Sequence, residues 1–248
     1  MKRKLVASFA CLLLLTFGLL VWQGARFSSY IRLPGKGLLG KAGGDARTMT
    51  ASYLSPTEKD VLAELNLART DPRRYATLLE EARKTLSGNQ IKLGSSRAIT
   101  LKEGASVVDE AIKFLREVKP LPPLEISKGL CLGAKDHVKD LLASGSSGHK
   151  GTDGSLPEQR VSRYGNWQLA IGENIAYASN TAREAVFGMI IDDGVAGRGH
   201  RLNIFNTNHR FAGIAAAQRS SDVATCVVTY AGGFVEKAEG AVTASKMF

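Results

Sequence analysis

The sequence predicts an α+β fold in which helices come first and strands come last. Capped amphipathic helical segments occupy much of residues 55–145. Two short apolar runs near the end, Phe211–Ala217 and Ala224–Tyr230, flank a polar turn and are typical of an antiparallel hairpin. Strands and helices do not alternate as they would in a doubly wound parallel fold, so we expect a layered α+β domain.

The N-terminus has the organisation of an export signal. Three basic residues, Lys2, Arg3 and Lys4, precede an apolar run over residues 5–22. This run reaches the threshold of ~18 residues for a membrane span, so an uncleaved anchor stays open beside a cleaved signal. We therefore expect residues 1–25 to be a signal peptide or anchor. The protein would be exported, secreted or periplasmic, and would contact a membrane only if this segment is retained.

Composition divides the rest of the chain. Residues 26–54 combine glycines and basic residues without periodicity and predict a flexible basic linker, and residues 239–248 predict a flexible tail. The domain is expected over residues 55–238. The formal net charge is +10, but residues 1–50 hold eight Lys or Arg and a single Asp. The domain itself is nearly balanced, which argues against nucleic acid as a partner.

Local signals place the helices. Ser55-Pro56-Thr57-Glu58 forms a capping box ahead of an apolar stripe, and Asp71-Pro72 starts a second helix. Residues 85–101 are polar and predict a loop, and residues 102–118 predict a helix. Ser127 predicts the start of a helix that ends at Gly145, and Thr181–Glu184 forms another capping box.

Two cysteines follow the leader, Cys131 and Cys226. In an exported protein such a pair permits one disulfide. The alternative is two buried thiols, because free cysteine packs as a small hydrophobe.

The candidate site centres on His149, Glu173 and His200. Both histidines lie in polar, Gly-rich segments of the kind that display functional side chains, and Glu173 is an acid within an apolar run. Imidazoles with carboxylates suit zinc or another divalent cation. The alternative is structural: Glu173 accepts backbone hydrogen bonds and the histidines cap helices. No HExxH, CxxC, GxSxG or Walker pattern is present.

The other two histidines predict structural roles. His137 lies on the apolar stripe of its helix, which indicates a packed histidine, and His209 lies in a turn or at a strand edge.

Five motifs in order resemble the CAP superfamily, which comprises cysteine-rich secretory proteins, antigen 5 and pathogenesis-related protein 1. The likeness covers about residues 58–235 and implies a three-layer α–β–α sandwich with a central antiparallel sheet. The motifs are Leu65–Pro72, Pro122–Leu124 with the following helix, Gly148-His149 with Asp153–Ser155, Arg160 and Gly165, Gly172–Ile175, and Gly199–Ile204.

The resemblance also implies a cleft with two histidines and two acids. It assigns His149, Glu173 and His200 to three of these positions and gives Asp192 as the fourth, with Asp193 and Asp153 as rivals. Members of the family are associated with zinc or other divalent ions, for which His149 and His200 would be the ligands here.

Three functions follow as hypotheses. The first is an exported, non-catalytic binding module for a small apolar, lipid-like ligand or for an envelope or protein partner. The second is an extracellular, protease-like hydrolase that uses a metal or His149, Glu173 and His200. The third is a structural envelope protein with a vestigial cleft.

Overall fold

A computed structural model describes residues 51–94, 97–220 and 223–238. The predicted leader, most of the predicted linker and the predicted tail lie outside these residues. Among the described residues, no helix has the length and apolar character needed to cross a bilayer. The helices are α1 (Pro56–Thr70), α2 (Pro72–Arg83), α3 (Ala105–Glu117), α4 (Lys128–Ser144), α5 (Pro157–Ser162), α6 (Ala182–Ile191) and α7 (Gly199–Ile204). The strands are β1 (Gln90–Lys92), β2 (Ala98–Thr100), β3 (Glu125–Ile126), β4 (Gly165–Ser179), β5 (Phe211–Ser220) and β6 (Val223–Glu236).

The helices start at the caps that the sequence predicts. Ser55 and Glu58 form the full capping box. The Glu58 amide donates to the Ser55 hydroxyl over 3.3 Å, and the Ser55 amide donates to the Glu58 carboxylate over 2.7 Å. α4 begins after Ser127 and ends at Gly145, which adopts φ +69. At α6 the box is only half formed: Thr181 accepts from the Glu184 amide, but the Glu184 carboxylate bonds the amide of Asn180.

The main sheet has the strand order β3-β5-β6-β4. The predicted hairpin is confirmed as β5 and β6, which pair antiparallel over more residues than the apolar runs indicate. β4, which sequence reasoning missed, pairs antiparallel with β6 and carries Glu173. The two-residue β3 pairs parallel with β5, so the central sheet is antiparallel except for this short strand.

The sheet lies between two helical layers, and the layered α+β architecture is confirmed. Ile214, Val228 and Tyr230 pack on one face against α1, α2, α3 and α6. Ala215 and Val227 face the opposite way, against α4. Because alternate residues of a strand point to opposite faces, this division defines three layers.

Residues 85–101 depart from the expected loop. They form a small hairpin in which Ile91 pairs with Ile99, and the Ile91 side chain is buried in the main core. Each strand has only three residues and is too short to produce a visible alternation.

Cys131 and Cys226 are free, buried thiols. Of the two expectations, the pair of buried thiols is therefore the one that the structure shows, and the disulfide is absent between them. Cys226 lies in the core on the α1 side of the sheet. Cys131 lies on α4, in the other layer, and packs against Ala51 and Leu54. The two thiols belong to different clusters of the core, and the Cys131 Sγ accepts a hydrogen bond from the Ile214 amide over 3.3 Å. The last residues of the expected 26–54 linker are part of the folded unit.

Candidate functional site

Glu173 holds His149 from the central part of β4. The Nδ1–H of His149 donates to Oε1 of Glu173 over 2.9 Å. The Glu173 side chain is only 2% exposed, whereas that of His149 is 49% exposed. Because a carboxylate can only accept, Nδ1 carries the proton of this hydrogen bond, and Nε2 takes no part in it.

Arg160, on α5, forms a buried ion pair with Glu173. Its Nη2 donates to both carboxylate oxygens over 3.0 and 2.8 Å, and both side chains are 2% exposed. Its Nη1 donates to the carbonyls of His149 and Ser155. One guanidinium thus fixes both the acid and the backbone that carries the histidine. In the sequence, Arg160 stood out only as part of the loop motif.

His137, on α4, holds the loop that carries His149 by bonding its backbone. It is fully buried on α4, as the apolar stripe predicts, and its Nε2–H donates to the carbonyl of Gly148 over 2.8 Å. The same nitrogen lies 3.8 Å from Oε1 of Glu173. Burial lowers the pKa of His137, because desolvation penalises the charged imidazolium. His137 is therefore a positioning group beside the site.

Asp192 and His200 form a second pair of the same type. The Nδ1–H of His200 donates to Oδ1 of Asp192 over 2.6 Å, and the backbone amides of His200 and Arg201 donate to Oδ2. Asp192 terminates α6 in the left-handed region, with φ +57 and ψ +42. This backbone turn directs its short side chain at the start of α7. The Nε2 of His200 is again left outside the pair.

The two rival acids bond other partners. Asp193 accepts the amides of Lys102 and Glu103 and so fixes the segment before α3. Asp153 accepts from the Ser155 amide and from Arg163 on the surface. Of the three candidates, Asp192 is the one that bonds a cleft histidine.

Two asparagines connect the pairs across β4. Asn174 donates to the carbonyl of His200 over 2.9 Å. Asn203 donates to the side chain of Asn174 and to the carbonyl of Glu173. Sequence analysis missed Asn203, and its place in the Gly199–Ile204 motif was the only available signal.

Gly172, which precedes Glu173, lies where a side chain would not fit. A Cβ at Gly172 would lie 2.9 Å from Cε1 of His209 and 3.0 Å from Oδ1 of Asn203. His209 is itself buried, stacked on Tyr230 with a centroid separation of 5.2 Å, and its Nδ1–H donates to the carbonyl of Asn203. His209 therefore follows a turn, as expected, and packs beneath the site.

A groove of about 260 Å³ opens beside the second pair. Its walls come from the β1–β2 hairpin, the C-terminal half of β4 and α6. Apolar side chains dominate the lining, and Asp192 and His200 close one part of it. The apolar contributors include Leu93, Ile99, Ile175, Ala185, Met189 and Val195, and the acids Glu184 and Asp193 also line the groove.

The geometry limits the available chemistry. Both carboxylates are occupied in orienting histidines, a role that acids commonly play around metal-bound imidazoles. The donors left for a cation are the Nε2 atoms of His149 and His200. Within residues 51–94, 97–220 and 223–238, no three His, Cys, Asp or Glu side chains converge to hold a metal.

Residues 110–230 match a family model described as "CAP: Cysteine-rich secretory protein family". No functionally curated protein matches the chain in sequence.

Solved structures similar to the chain include proteins from three bacteria. An outer surface protein from Borrelia burgdorferi has a TM-score of 0.40 and 19% identity over 61% of this chain and 100% of its own. An extracellular protein containing an SCP domain from Bacillus anthracis has a TM-score of 0.36 and 25% identity over 53% of this chain and 39% of its own. A cysteine-rich secretory protein from Staphylococcus aureus has a TM-score of 0.33 and 16% identity over 50% of this chain and 36% of its own. The likeness thus spans well under half of the last two proteins.

Proposed function

Since residues 110–230 match the model of the CAP family, we propose that the protein is an exported binding module whose groove takes the apolar part of a lipid-like envelope ligand. The observation that carries the proposal is the apolar groove that ends at the Asp192–His200 pair. Export rests on the basic and apolar residues 2–22.

The dimensions of the groove define what it could hold. Its volume of about 260 Å³ is slightly below the ~300–1000 Å³ of sites that enclose a drug-sized molecule. A ligand would therefore insert one apolar segment and leave the rest outside. His200, whose side chain is 24% exposed, supplies a hydrogen-bonding group for a polar end.

Gly188 provides the test, because it lines the groove on α6 and a Cβ placed there would meet no atom within 4 Å. Gly188→Leu should fill the groove without clashing, and Gly188→Ala is the matched control. We expect dodecanoate, titrated by calorimetry, to bind the wild type and Gly188→Ala. Its affinity for Gly188→Leu should be at least about tenfold lower, or ~1.4 kcal/mol. Equal binding to all three proteins would place the ligand elsewhere and overturn the proposal.

Zinc is a second candidate ligand, supported by the Nε2 atoms of His149 and His200, which take no part in the bonds to Glu173 and Asp192. Two imidazoles are fewer than the three or four protein ligands of typical zinc sites, so this proposal is for a weak, solvent-completed site. Calorimetric titration of zinc into the wild type should give binding that His149→Ala/His200→Ala abolishes. Absence of heat at millimolar zinc would remove the metal from the proposal.

Hydrolysis is the alternative that the histidine–carboxylate pairs favour, since each resembles the base-orienting half of a catalytic triad. Substitution of Glu173 is a poor test of hydrolysis, because it would leave the buried Arg160 guanidinium without its carboxylate partner. His200→Gln is the sharper variant. Hydrolysis of casein by the wild type, lost in His200→Gln with unchanged thermal unfolding, would favour the enzyme over the binding module.

A further inference from the structure

Tyr177 touches both the groove and the loop that carries His149. It is one of the residues that line the groove, and it is 43% exposed. Its hydroxyl oxygen accepts a hydrogen bond from the amide of Gly148 over 2.8 Å. It lies in the irregular stretch of β4 between Ala176 and Ser179, where pairing with β6 is interrupted. Such bulges redirect side chains away from the regular ladder.

Gly148 is held on both sides of its backbone by different kinds of group. Its carbonyl accepts from the fully buried His137, which the core holds in place. Its amide donates to Tyr177, which is half exposed. Gly148 has φ +94, a conformation that glycine adopts without the steric cost of a Cβ. Of these two anchoring residues, Tyr177 is the one that also lines the groove.

We propose that Tyr177 is a positioning residue that couples occupancy of the groove to the position of His149. The inference rests on the proposed function of the groove as a ligand site. A group that enters the groove displaces the Tyr177 ring, and a shift of about 1 Å lengthens the 2.8 Å bond beyond hydrogen-bonding range. The Gly148 amide is then released, and the adjacent His149 changes its orientation relative to Glu173.

The coupling is reciprocal, because a free energy shared by two sites acts in both directions. A ligand that fixes the His149 loop stabilises the Tyr177–Gly148 bond and changes the affinity of the groove by the same factor. Couplings of this kind commonly amount to at least about fivefold in affinity.

The test replaces the ligand by a side chain, so it does not depend on dodecanoate. Gly188→Leu places a permanent occupant in the groove. Tyr177→Phe keeps the ring but removes the acceptor for Gly148. Four proteins are compared by NMR: wild type, each single variant and the double variant. The readouts are the Gly148 amide and the His149 Cε1–H resonances. Tyr53→Phe, at an equally exposed tyrosine remote from the groove lining, serves as the control.

We expect Gly188→Leu to shift both resonances when Tyr177 is present and to leave them unchanged in the Tyr177→Phe background. The Tyr53→Phe background should behave like the wild type. Equal shifts in the Tyr177→Phe background, or no shift in either, would overturn the coupling. Failure of dodecanoate to bind would instead count against the proposed function, and the four-protein comparison would still decide the coupling.

Discussion

The ion pair with Arg160 limits the role that the Glu173 carboxylate can take in the site. A carboxylate that already accepts two bonds from a buried guanidinium and one from His149 is held as an orienting group. A buried charge pair of this type is costly to break, because the surviving partner stays desolvated without compensation. The pair therefore belongs as much to the stability of the fold as to the site.

Glu173→Gln should accordingly destabilise the protein by about 3–5 kcal/mol, because it leaves the Arg160 charge buried and unpaired. Urea unfolding followed by circular dichroism measures the change. The control is Glu81→Gln, which removes the exposed pair with Lys84 and should cost less than about 1 kcal/mol. Equal stability of Glu173→Gln and the wild type would mean that Arg160 finds another partner.

At the scale of single elements, the sequence predicted where the helices start, but it did not predict the strand β4 that carries Glu173. The cap at Ser55 and the termination at Gly145 depend on residues three or four positions apart, so a local motif suffices. β4 escaped prediction because polar residues such as Glu173 and Asn174 face different layers of the fold and interrupt the alternation.

The candidate site divides in the same way. His149, Glu173 and His200 were identified from the segments in which they lie, and Asp192 from the family resemblance. Their geometry depends on Arg160 and on Asn203, which bonds the Glu173 carbonyl from 30 positions away. Such long-range contacts leave no signature in one sequence.

The contact between α4 and β5 offers a further prediction. A Cβ at Gly213 would lie 2.0 Å from the carbonyl carbon of Leu130, so helix and strand meet backbone to backbone. Gly213→Ala should force the two elements apart and lower the free energy of unfolding by about 3 kcal/mol. Gly188→Ala, in open space within α6, should be neutral or stabilising by up to about 1 kcal/mol. Chemical denaturation of the two variants gives the comparison, and equal effects would contradict the close packing.

At the scale of the whole molecule, stability should depend on the pH between about 7 and 5. Desolvation lowers the pKa of both His137 and His209 in the folded state. An unfolded imidazole titrates near pH ~6.5. Below that pH the unfolded chain binds protons that the folded chain does not, so the free energy of unfolding decreases as the pH falls. The decrease is at most ~1.4 kcal/mol per pH unit for each histidine.

Urea midpoints measured at pH 7.5, 6.5 and 5.5 check this expectation. His209→Phe keeps an aromatic ring beside Tyr230 and should reduce the slope. Glu103 and Glu110 do not contribute to this pH dependence. Hydrogen bonds from Arg198 lower their pKa values to about 2, so their effect on stability appears only in more acidic solutions. A pH-independent midpoint over this range would show that neither buried histidine differs between the folded and unfolded states.

The two free thiols have a consequence for how the protein matures. Burial raises the pKa of both Cys131 and Cys226 to about 12, so neither supplies the thiolate that attacks a disulfide. The described residues contain no disulfide between them. We therefore expect the domain to fold equally well whether or not an oxidant is present.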